Sequence, residues 1–279
     1  MKMGISVSNQ QQESFLYVSG LSVTETIKLC ENVEIIPACC EPTSDLIISQ
    51  SRSEIDLGIM AIFLRRVGAQ VKISGATGKE LASRVWNAQW DIVILSALFD
   101  CDAVANLQSD TPAELLSIDS RLSVANYHMR GSVNSLYTIT SEDAHWLKMH
   151  FQNARNLLDV DRFSDAVNAR SSYRWHPNPR AQLAVLWSGI EGLFDIQGET
   201  VFKLSLFVAK FLEPNDREQA KRILSSVKKL YKSRSSAVHG SKIKGDRRQL
   251  VSESSELLER LIRRCIEVGA IPNIEELTL

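Results

Sequence analysis

An arginine and a histidine at a fixed spacing are the first candidates for chemistry in this chain. They lie in the segment YKSRSSAVHG at 231–240, where four residues separate Arg234 from His239. An imidazole can transfer protons near neutral pH, and a guanidinium can stabilise negative charge on a phosphate. The pair therefore contains a proton-transfer group and a cation, neither of which needs a metal ion.

Two other arginines precede a histidine at a comparable spacing. Arg121 comes before His128 in the strand-rich half of the chain, and Arg170 comes before His176, which opens the loop-like sequence WHPNP. The 231–240 segment instead follows an amphipathic helical pattern in a half of the chain that is helical throughout. Its context therefore distinguishes it from the other two matches.

Basic residues are concentrated around this segment. The whole chain has a net charge of -1, from 32 Lys and Arg against 33 Asp and Glu. Residues 217–264 contain 14 basic and five acidic residues, and 14 minus 5 gives a local charge of +9. Such a segment is either the solvated face of helices or a surface for a phosphate backbone. In the second case we expect contacts with RNA from Lys228, Lys229 and Lys232.

Residues 1–140 predict a mixed α/β domain. Short apolar runs rich in Val, Ile and Tyr predict strands, and two helices are predicted, one from Ser53 to a stop at Gly68 and one over 78–89. The strand-like runs are SFLYVS at 14–19, VEIIP at 33–37, DLIIS at 45–49, AQVKIS at 69–74, DIVILSAL at 91–98 and SLYTIT at 135–140.

From Ser141 onward the apolar period changes from two to 3.6, which predicts an all-α helical bundle over 141–279. Asn215, with Glu218 three residues later, is typical of a helix start, and Gly269 is a predicted helix stop. The predicted fold class is therefore α+β. Apolar stripes place the bundle's helices near 147–158, 183–193, 201–212, 220–231 and 250–268.

Several classes of function lack sequence support. No HExxH, GxSxG or paired Cys/His spacing occurs, and the five cysteines have no CxxC spacing, so we expect reduced thiols and no metal. SGATGKE at 74–80 departs from a phosphate-binding P-loop at Ile73 and Glu80. The sequence therefore predicts no cofactor.

No segment predicts a membrane span or a secretory signal. The longest strongly apolar runs, GIMAIFL at 58–64 and IVIL at 92–95, are far shorter than the ~18 to 20 residues that a bilayer requires. The beginning of the chain, MKMGISVSNQQQESF, lacks the apolar core of a signal peptide. We expect a cytoplasmic protein without membrane contact.

Two segments resemble one family of helical domains. LWSGIEGLF at 186–194 resembles the Trp- and Glu-bearing helix of the Apea-like branch of the HEPN family, and KKLYKSRSSAVHG at 228–240 resembles its approach to an Arg, four to six residues, His motif. The resemblance covers residues 141–270. It departs from the commonest HEPN pattern by having Ser235 where Asn, Asp or His often follows the arginine, and by lacking a tyrosine two residues after His239.

The resemblance implies a metal-independent endoribonuclease, of the kind found in phage defence or among toxins. RNA supplies its own nucleophile, the 2′-hydroxyl, so that His239 would move protons and Arg234 would stabilise the pentacoordinate phosphate. Residues five apart on a straight helix differ by about 140° in azimuth, so one copy does not direct both side chains at one phosphate. A two-fold homodimer that apposes both motifs solves this problem, as the resemblance also implies.

Two further residues are candidates for supporting roles. Glu191 lies in an otherwise apolar helix, and we expect it either to orient Arg234 across the bundle or to form a plain salt bridge with it. Ser235 is assigned a supporting role next to the arginine. Arg234 and His239 are both expected to lie in a solvent-filled cleft rather than in the core.

Two functions of different classes stay open from the sequence. The first is an RNA-cleaving effector, in which residues 1–140 sense or restrain activity and offer a site for a protein trigger or inhibitor. The second is a non-catalytic HEPN-like module that dimerises or binds nucleic acid. Ser235 favours the second function, whereas the arginine, the histidine and Gly240 favour the first.

Overall fold

The computed structural model describes residues 4–99, 101–128, 136–196, 200–238 and 246–278, with the backbone alone for residues 200 and 235–238. The fold is α+β, as predicted, with an antiparallel sheet followed by a helical region. The chain divides into two compact units, Met1–Gln152 and Asn153–Leu279. The change of period at Ser141 marks the start of a helix, and the division between the units falls inside that helix.

The N-terminal unit is built on a sheet of six strands within the described residues, in the order β3-β4-β5-β1-β6-β7. All neighbours in this sheet pair antiparallel. The strands are β1 (Glu13–Ser19), β3 (Ile27–Cys30), β4 (Val33–Pro37), β5 (Val67–Ser74), β6 (Val104–Ser109) and β7 (Leu122–Val124). A separate parallel pair joins β2 (Leu21–Ser22) to β8 (Tyr137–Thr138).

Helices cover both faces of this sheet. They are α1 (Ser44–Gln50), α2 (Glu54–Phe63) and α3 (Gly78–Leu98). Phe15 and Tyr17 of β1 belong to one apolar cluster with Met60 and Phe63 of α2. Because alternate residues of a strand point to opposite faces, the buried Leu16 lies on the other side, and α3 packs against β1, β5 and β6.

Two of the predicted strands are wrong, because both runs are helical. DLIIS at 45–49 lies in α1, where the Thr43 hydroxyl accepts a hydrogen bond from the Leu46 N–H and caps the helix. DIVILSAL at 91–98 forms the second half of α3. A short apolar run does not distinguish a strand from a buried helix, and the α3 residues 81, 85, 88, 92 and 95 recur at helical spacing and are buried.

Gly68 was predicted to end the helix that starts at Ser53. It lies instead inside β5. The helix already ends at Phe63 and is followed by a 3-10 turn over Leu64–Arg66. A Cβ atom at Gly68 would come within 2.6 Å of the Leu21 carbonyl oxygen. This glycine is therefore required by a close approach of two backbones rather than by a helix end.

The helical region begins with α4 (Ser141–Leu157), which crosses from the first unit into the second. The other helices described are α5 (Asp161–Ser172), α6 (Pro179–Phe194), α7 (Thr200–Leu212), α8 (Arg217–Val238), α9 (Arg247–Val268) and α10 (Ile274–Thr278). Helix α6 is central, since it packs against α5, α8 and α9, and its Leu183, Leu186, Ile190 and Leu193 are buried.

The ends of the helices test the predicted caps. The predicted start at Asn215 is one residue early, because the Asp216 carboxylate accepts hydrogen bonds from the N–H groups of Glu218 and Gln219 at 3.0 and 2.9 Å. A carboxylate can satisfy two unpaired N–H groups in the first turn. The predicted stop at Gly269 is confirmed, with a left-handed φ of 69°.

Two glycines on α6 give a matched test of its central packing. A Cβ atom at Gly189 would lie 2.9 Å from the Ala169 Cβ and 3.1 Å from a Leu258 methyl, whereas one at Gly192 would have nothing within 4 Å. We expect Gly189→Ala to destabilise the helical unit by about 1 to 3 kcal/mol. Gly192→Ala should stabilise it by up to about 1 kcal/mol through helix propensity. Urea unfolding followed by circular dichroism measures both, and equal stability of the two variants would contradict the packing.

Candidate functional site

Arg234 and Glu191 form an ion pair between two helices of the second unit. The Arg234 Nη2 atom on α8 donates to the Glu191 Oε2 atom on α6 over 2.8 Å. Their side chains are 21% and 27% exposed. The expected contact is thus present, although Arg234 is half-buried at a helix interface rather than standing in an open cleft.

The Arg234 guanidinium lies over an aromatic ring, which in turn packs against a second one. The Arg234 Cζ atom lies 5.5 Å from the centroid of the Tyr231 ring. The Tyr231 ring packs edge-on against the Trp187 ring, with centroids 5.3 Å apart. The Trp187 indole N–H in turn donates to the Ser254 hydroxyl of α9 over 3.1 Å. Three helices therefore contribute to the position of one arginine.

The spacing of these residues along their helices explains why the contacts lie side by side. Trp187 and Glu191 are four residues apart on α6, and Tyr231 and Arg234 are three apart on α8. Residues at these spacings are neighbours on one helix face. Two packed faces can therefore make an aromatic contact and an ion pair one turn apart. The fully buried Trp187 keeps this arrangement in the core.

The ion pair also shifts a protonation equilibrium. Burial raises the pKa of Glu191, and the nearby Arg234 guanidinium opposes this by lowering the pKa in part. The net direction is upward, so partial loss of solvent outweighs the arginine. Burial thus disfavours the ionised form of Glu191, and the Arg234 guanidinium offsets part of this effect.

Both members of the pair retain hydrogen-bonding capacity. Glu191 Oε1 and Arg234 Nε are buried and have no hydrogen-bond partner among the described residues. An arginine and a carboxylate can form two parallel hydrogen bonds, whereas this pair uses one. Both unpartnered atoms are enclosed by protein, so a ligand could engage the guanidinium only through the part of the Arg234 side chain that is 21% exposed.

Of the residues that follow Arg234 in the motif segment, Ser235 belongs to the part of the chain that the structure describes. Ser235 lies in α8, next to Arg234. His239, the predicted proton-transfer residue, and the adjacent Gly240 lie outside the described residues. The geometry of the site is therefore that of Arg234 and the residues that hold it.

The predicted RNA-binding lysines lie on another side of α8 from Arg234. At about 100° per residue, Lys228, Lys229 and Lys232 are rotated by about 120 to 160° from the arginine. Lys229 and Lys232 are exposed. Arg234 instead shares the inward side of the helix with the buried Leu230. The structure does not bring these lysines together with the arginine.

Lys228, the first of these lysines, contacts an aromatic ring. Its Nζ atom lies 4.7 Å from the centroid of the Phe202 ring on α7. Phe202 itself is 53% exposed. A cation near a ring face is attracted by the ring quadrupole, so this lysine has an intramolecular partner.

Part of the local positive charge is neutralised on α9. Its last turns carry three arginines that form ion pairs with glutamates at N···O distances of 3.2 to 3.8 Å. The pairs are Arg260 with Glu213, Arg263 with Glu259 and Arg264 with Glu267. The open basic surface is therefore smaller than the net charge of 217–264 indicates.

Arg170 shows what a structural arginine looks like in this unit. Its side chain is 1% exposed, and its Nη2 atom lies 3.1 Å from Glu259 Oε2. The guanidinium also lies 5.4 Å from the Tyr173 ring centroid. An arginine enclosed to this degree joins α5 to α9 through its ion pair. The Arg170 to His176 spacing in the sequence therefore does not mark a site on the surface.

The supporting roles of Tyr231 and Ser254 were not predicted from the sequence. A signal existed for Tyr231, since an aromatic residue three positions before an arginine lies on the same helix face. No such signal existed for Ser254, because its contact with Trp187 joins residues 67 positions apart. Only packing of α6 against α9 brings these two residues together.

Comparison of the chain with protein-family models, with curated proteins and with solved structures found no match. Among the residues that the structure describes, no three or more His, Cys, Asp or Glu side chains are grouped to hold a metal ion. No helix in the same part of the chain has the length and apolar character needed to cross a bilayer.

Replacing Arg234 by methionine should raise the pKa of Glu191 further, because the guanidinium is the group that lowers it while burial remains. Nuclear magnetic resonance titration of the Glu191 carboxyl carbon measures the change. Arg222→Met, at an exposed position of α8, is the matched control and should leave this pKa unchanged. A Glu191 pKa that stays constant or falls in the Arg234 variant would contradict the assignment.

The raised pKa of Glu191 also determines how the free energy of unfolding changes with pH. The pKa of Glu191 lies above its ordinary value of 4.5, so the folded state binds this proton more tightly than the unfolded chain. The resulting stabilisation is complete below the ordinary value and is lost as the pH rises through the folded-state pKa. In the Arg234→Met variant this loss should occur at higher pH.

Proposed function

We propose that the chain is a cytoplasmic, metal-independent endoribonuclease that cleaves RNA by transesterification through the 2′-hydroxyl, acting as a defence or toxin effector. The observation that carries the proposal is the Arg234 guanidinium, which is held by Glu191 and Tyr231 while 21% of its side chain stays exposed. This arginine occupies the first position of the Arg, four residues, His motif.

Arg234 acts in this proposal on the phosphate that is attacked. A guanidinium offers five N–H donors in a rigid plane that matches phosphate oxygens. Glu191 and the ring of Tyr231 fix that plane before the substrate binds, so little reorganisation is needed. Glu191 is therefore a positioning residue, since it acts through the arginine rather than on the RNA.

His239 moves the protons of the reaction. The 2′-oxygen forms a bond to the adjacent phosphorus while its proton passes to an imidazole, and the bond from phosphorus to the 5′-oxygen breaks. The leaving 5′-oxygen takes a proton from a second, protonated imidazole. The products are a 2′,3′-cyclic phosphate and a 5′-hydroxyl, and neither a metal nor a cofactor takes part.

The second imidazole comes from another copy of the chain. Arg234 lies on the inward side of α8, and a residue five positions later on a straight helix is rotated by about 140°. One copy therefore does not direct both groups at one phosphate, whereas a two-fold homodimer would supply two arginines and two histidines to one cleft.

The alternative function is a non-catalytic module that dimerises or binds nucleic acid. One observation favours it: Lys229 and Lys232 are exposed on a side of α8 directed away from Arg234. A phosphate backbone could bind these lysines without reaching the arginine. In this function the Arg234–Glu191 pair joins α8 to α6 and has no chemical role.

Loss of Arg234 or of His239 should abolish RNA cleavage. We expect Arg234→Ala and His239→Ala to reduce the rate by about 10²-fold or more, the range for losing a charge-stabilising group or a proton-transfer group. Arg234→Lys should also lose activity, because lysine keeps the charge but not the planar donor geometry. The measurement is the formation of 2′,3′-cyclic phosphate ends on a labelled RNA in the presence of EDTA.

The controls separate chemistry from folding. Arg222→Ala removes an exposed arginine from the same helix and should keep full activity. Circular dichroism and light scattering should show that every variant keeps its helices and its dimer. A substrate with one 2′-deoxy nucleotide at the cut site should resist cleavage. Full activity of the His239 variant, or cutting of the 2′-deoxy site, would overturn the proposed mechanism.

The affinity for RNA should depend on salt through the lysines of α8. Replacing Lys228, Lys229 and Lys232 together by glutamine should lower the slope of log affinity against log salt by up to about 2, at about 0.7 for each phosphate contact on a single strand. The matched control replaces three exposed basic residues of the N-terminal unit, Lys28, Arg65 and Lys79. An equal slope in both triple variants would show that the α8 lysines are a solvated face.

A further inference from the structure

A cleft of about 270 Å³ lies in the N-terminal unit, away from every residue of the motif. Its walls are the first turn of α2, the strand β7 and the chain segment at 4–6. Strand β7 is at the edge of the sheet, so one side of the cleft is formed where strand pairing ends. None of the proposed RNA chemistry uses this region.

A buried carboxylate forms part of the cleft wall. Asp56 is 6% exposed. Its Oδ1 atom accepts a hydrogen bond from the Tyr127 hydroxyl at 2.9 Å, and its Oδ2 atom accepts one from the Arg52 backbone N–H at 3.2 Å. An ionised carboxylate has about four acceptor positions, so two remain after these bonds. Closing the first turn of α2 explains the bond to Arg52 but not the open space beside the carboxylate.

The groups around Asp56 provide the opposite charge at the same cleft. The exposed Arg52 guanidinium has no hydrogen bond or ion pair with the described part of the chain, and it lines the cleft. The hydrogen bond to Asp56 raises the pKa of Tyr127, which keeps this phenol protonated. Its oxygen donates to Asp56 and still has a lone pair for a donor on a ligand.

The floor of the cleft is apolar. It is formed by Met60, Leu122 and Val124, which are 1%, 2% and 5% exposed. The cleft volume of about 270 Å³ lies just below the range for ligand sites, which begins at about 300 Å³, so only a small ligand is expected.

We propose that this cleft binds a small zwitterion with an aliphatic side chain, of the class of free α-amino acids. The ammonium group binds Asp56 and the Tyr127 oxygen, the carboxylate binds Arg52, and the side chain packs on Met60 and the β7 residues. Leucine and methionine are the simplest members of this class to test, because each combines the two charged groups with an aliphatic side chain. The proposal is independent of the reaction proposed for the helical unit.

Isothermal titration of the full chain with L-leucine and with L-methionine tests the proposal. We expect saturable binding with one site for each chain. Two analogues of leucine each lack one charge: isopentylamine has no carboxylate, and 4-methylpentanoate has no ammonium group. Each should bind at least about tenfold more weakly, as expected for loss of one charged hydrogen-bonding group. Absence of binding of either amino acid up to about 10 mM would overturn the proposal.

Variants assign the two charges to their residues. Arg52→Met and Tyr127→Phe change exposed side chains and should weaken leucine binding by about tenfold and about threefold without unfolding the unit. Arg121→Met removes an exposed arginine outside the cleft and is the matched control. Asp56→Asn should abolish binding, and its folding is checked by circular dichroism because Asp56 also closes the first turn of α2. Leucine binding that is equal in the Arg52 variant and in the control would refute the site.

Discussion

Arg234 keeps only 21% of its side chain in contact with solvent, and a guanidinium at that depth needs an anion within hydrogen-bond distance. Glu191 meets this need from the neighbouring helix, at 2.8 Å. The distance is reached only if α6 and α8 pack in one register, with Trp187 against Tyr231 one turn away. The ion pair and the aromatic contact thus require the same register, and neither would persist if the helices slipped by one residue.

The position of α6 depends in turn on two of its own residues, Gly189 and Trp187. Gly189 allows α5 and α9 to approach the helix at a distance that a methyl group would prevent. Trp187 fills the adjacent space and gives its N–H to Ser254 of α9, so this buried polar group is satisfied. The packing of α6 against α5 and α9 therefore determines where Glu191 lies, and Glu191 determines the direction of Arg234.

The sequence predicted the helices of the second unit better than the elements of the first, for a physical reason. Helix α6 has one apolar face, so the period of Leu186, Ile190 and Leu193 identifies it. Helix α3 ends in the short, mostly apolar stretch at 91–98, which was predicted to be a strand because a run of this length does not by itself distinguish a strand from a buried helix. The contact of Glu191 with Arg234 was predictable as a pair of opposite charges on apolar faces, but the exposure of the arginine was not, because it depends on three helices.

The lysines of α8 show that closeness in sequence does not by itself predict a shared surface. Their closeness in sequence to Arg234 indicated one joint surface, yet rotation along the helix separates them by about 120 to 160°. That separation follows from helix geometry alone and needs no tertiary structure. The ion pair of Arg260 did need it, because Glu213 directly follows α7 and is 47 positions from Arg260, as 260 minus 213 gives.

Arg170 and Arg234, two arginines of the helical unit, make the same kind of contact at different depths. Arg170 and Arg234 each pair with a glutamate of a neighbouring helix and lie over a tyrosine ring. Arg170 is 1% exposed, so its guanidinium cannot meet a ligand without unfolding its surroundings. Arg234 also pairs with a glutamate, but 21% of its side chain is exposed. Residual exposure, and not the ion pair, is therefore what separates an arginine that could act on RNA from one that only joins helices.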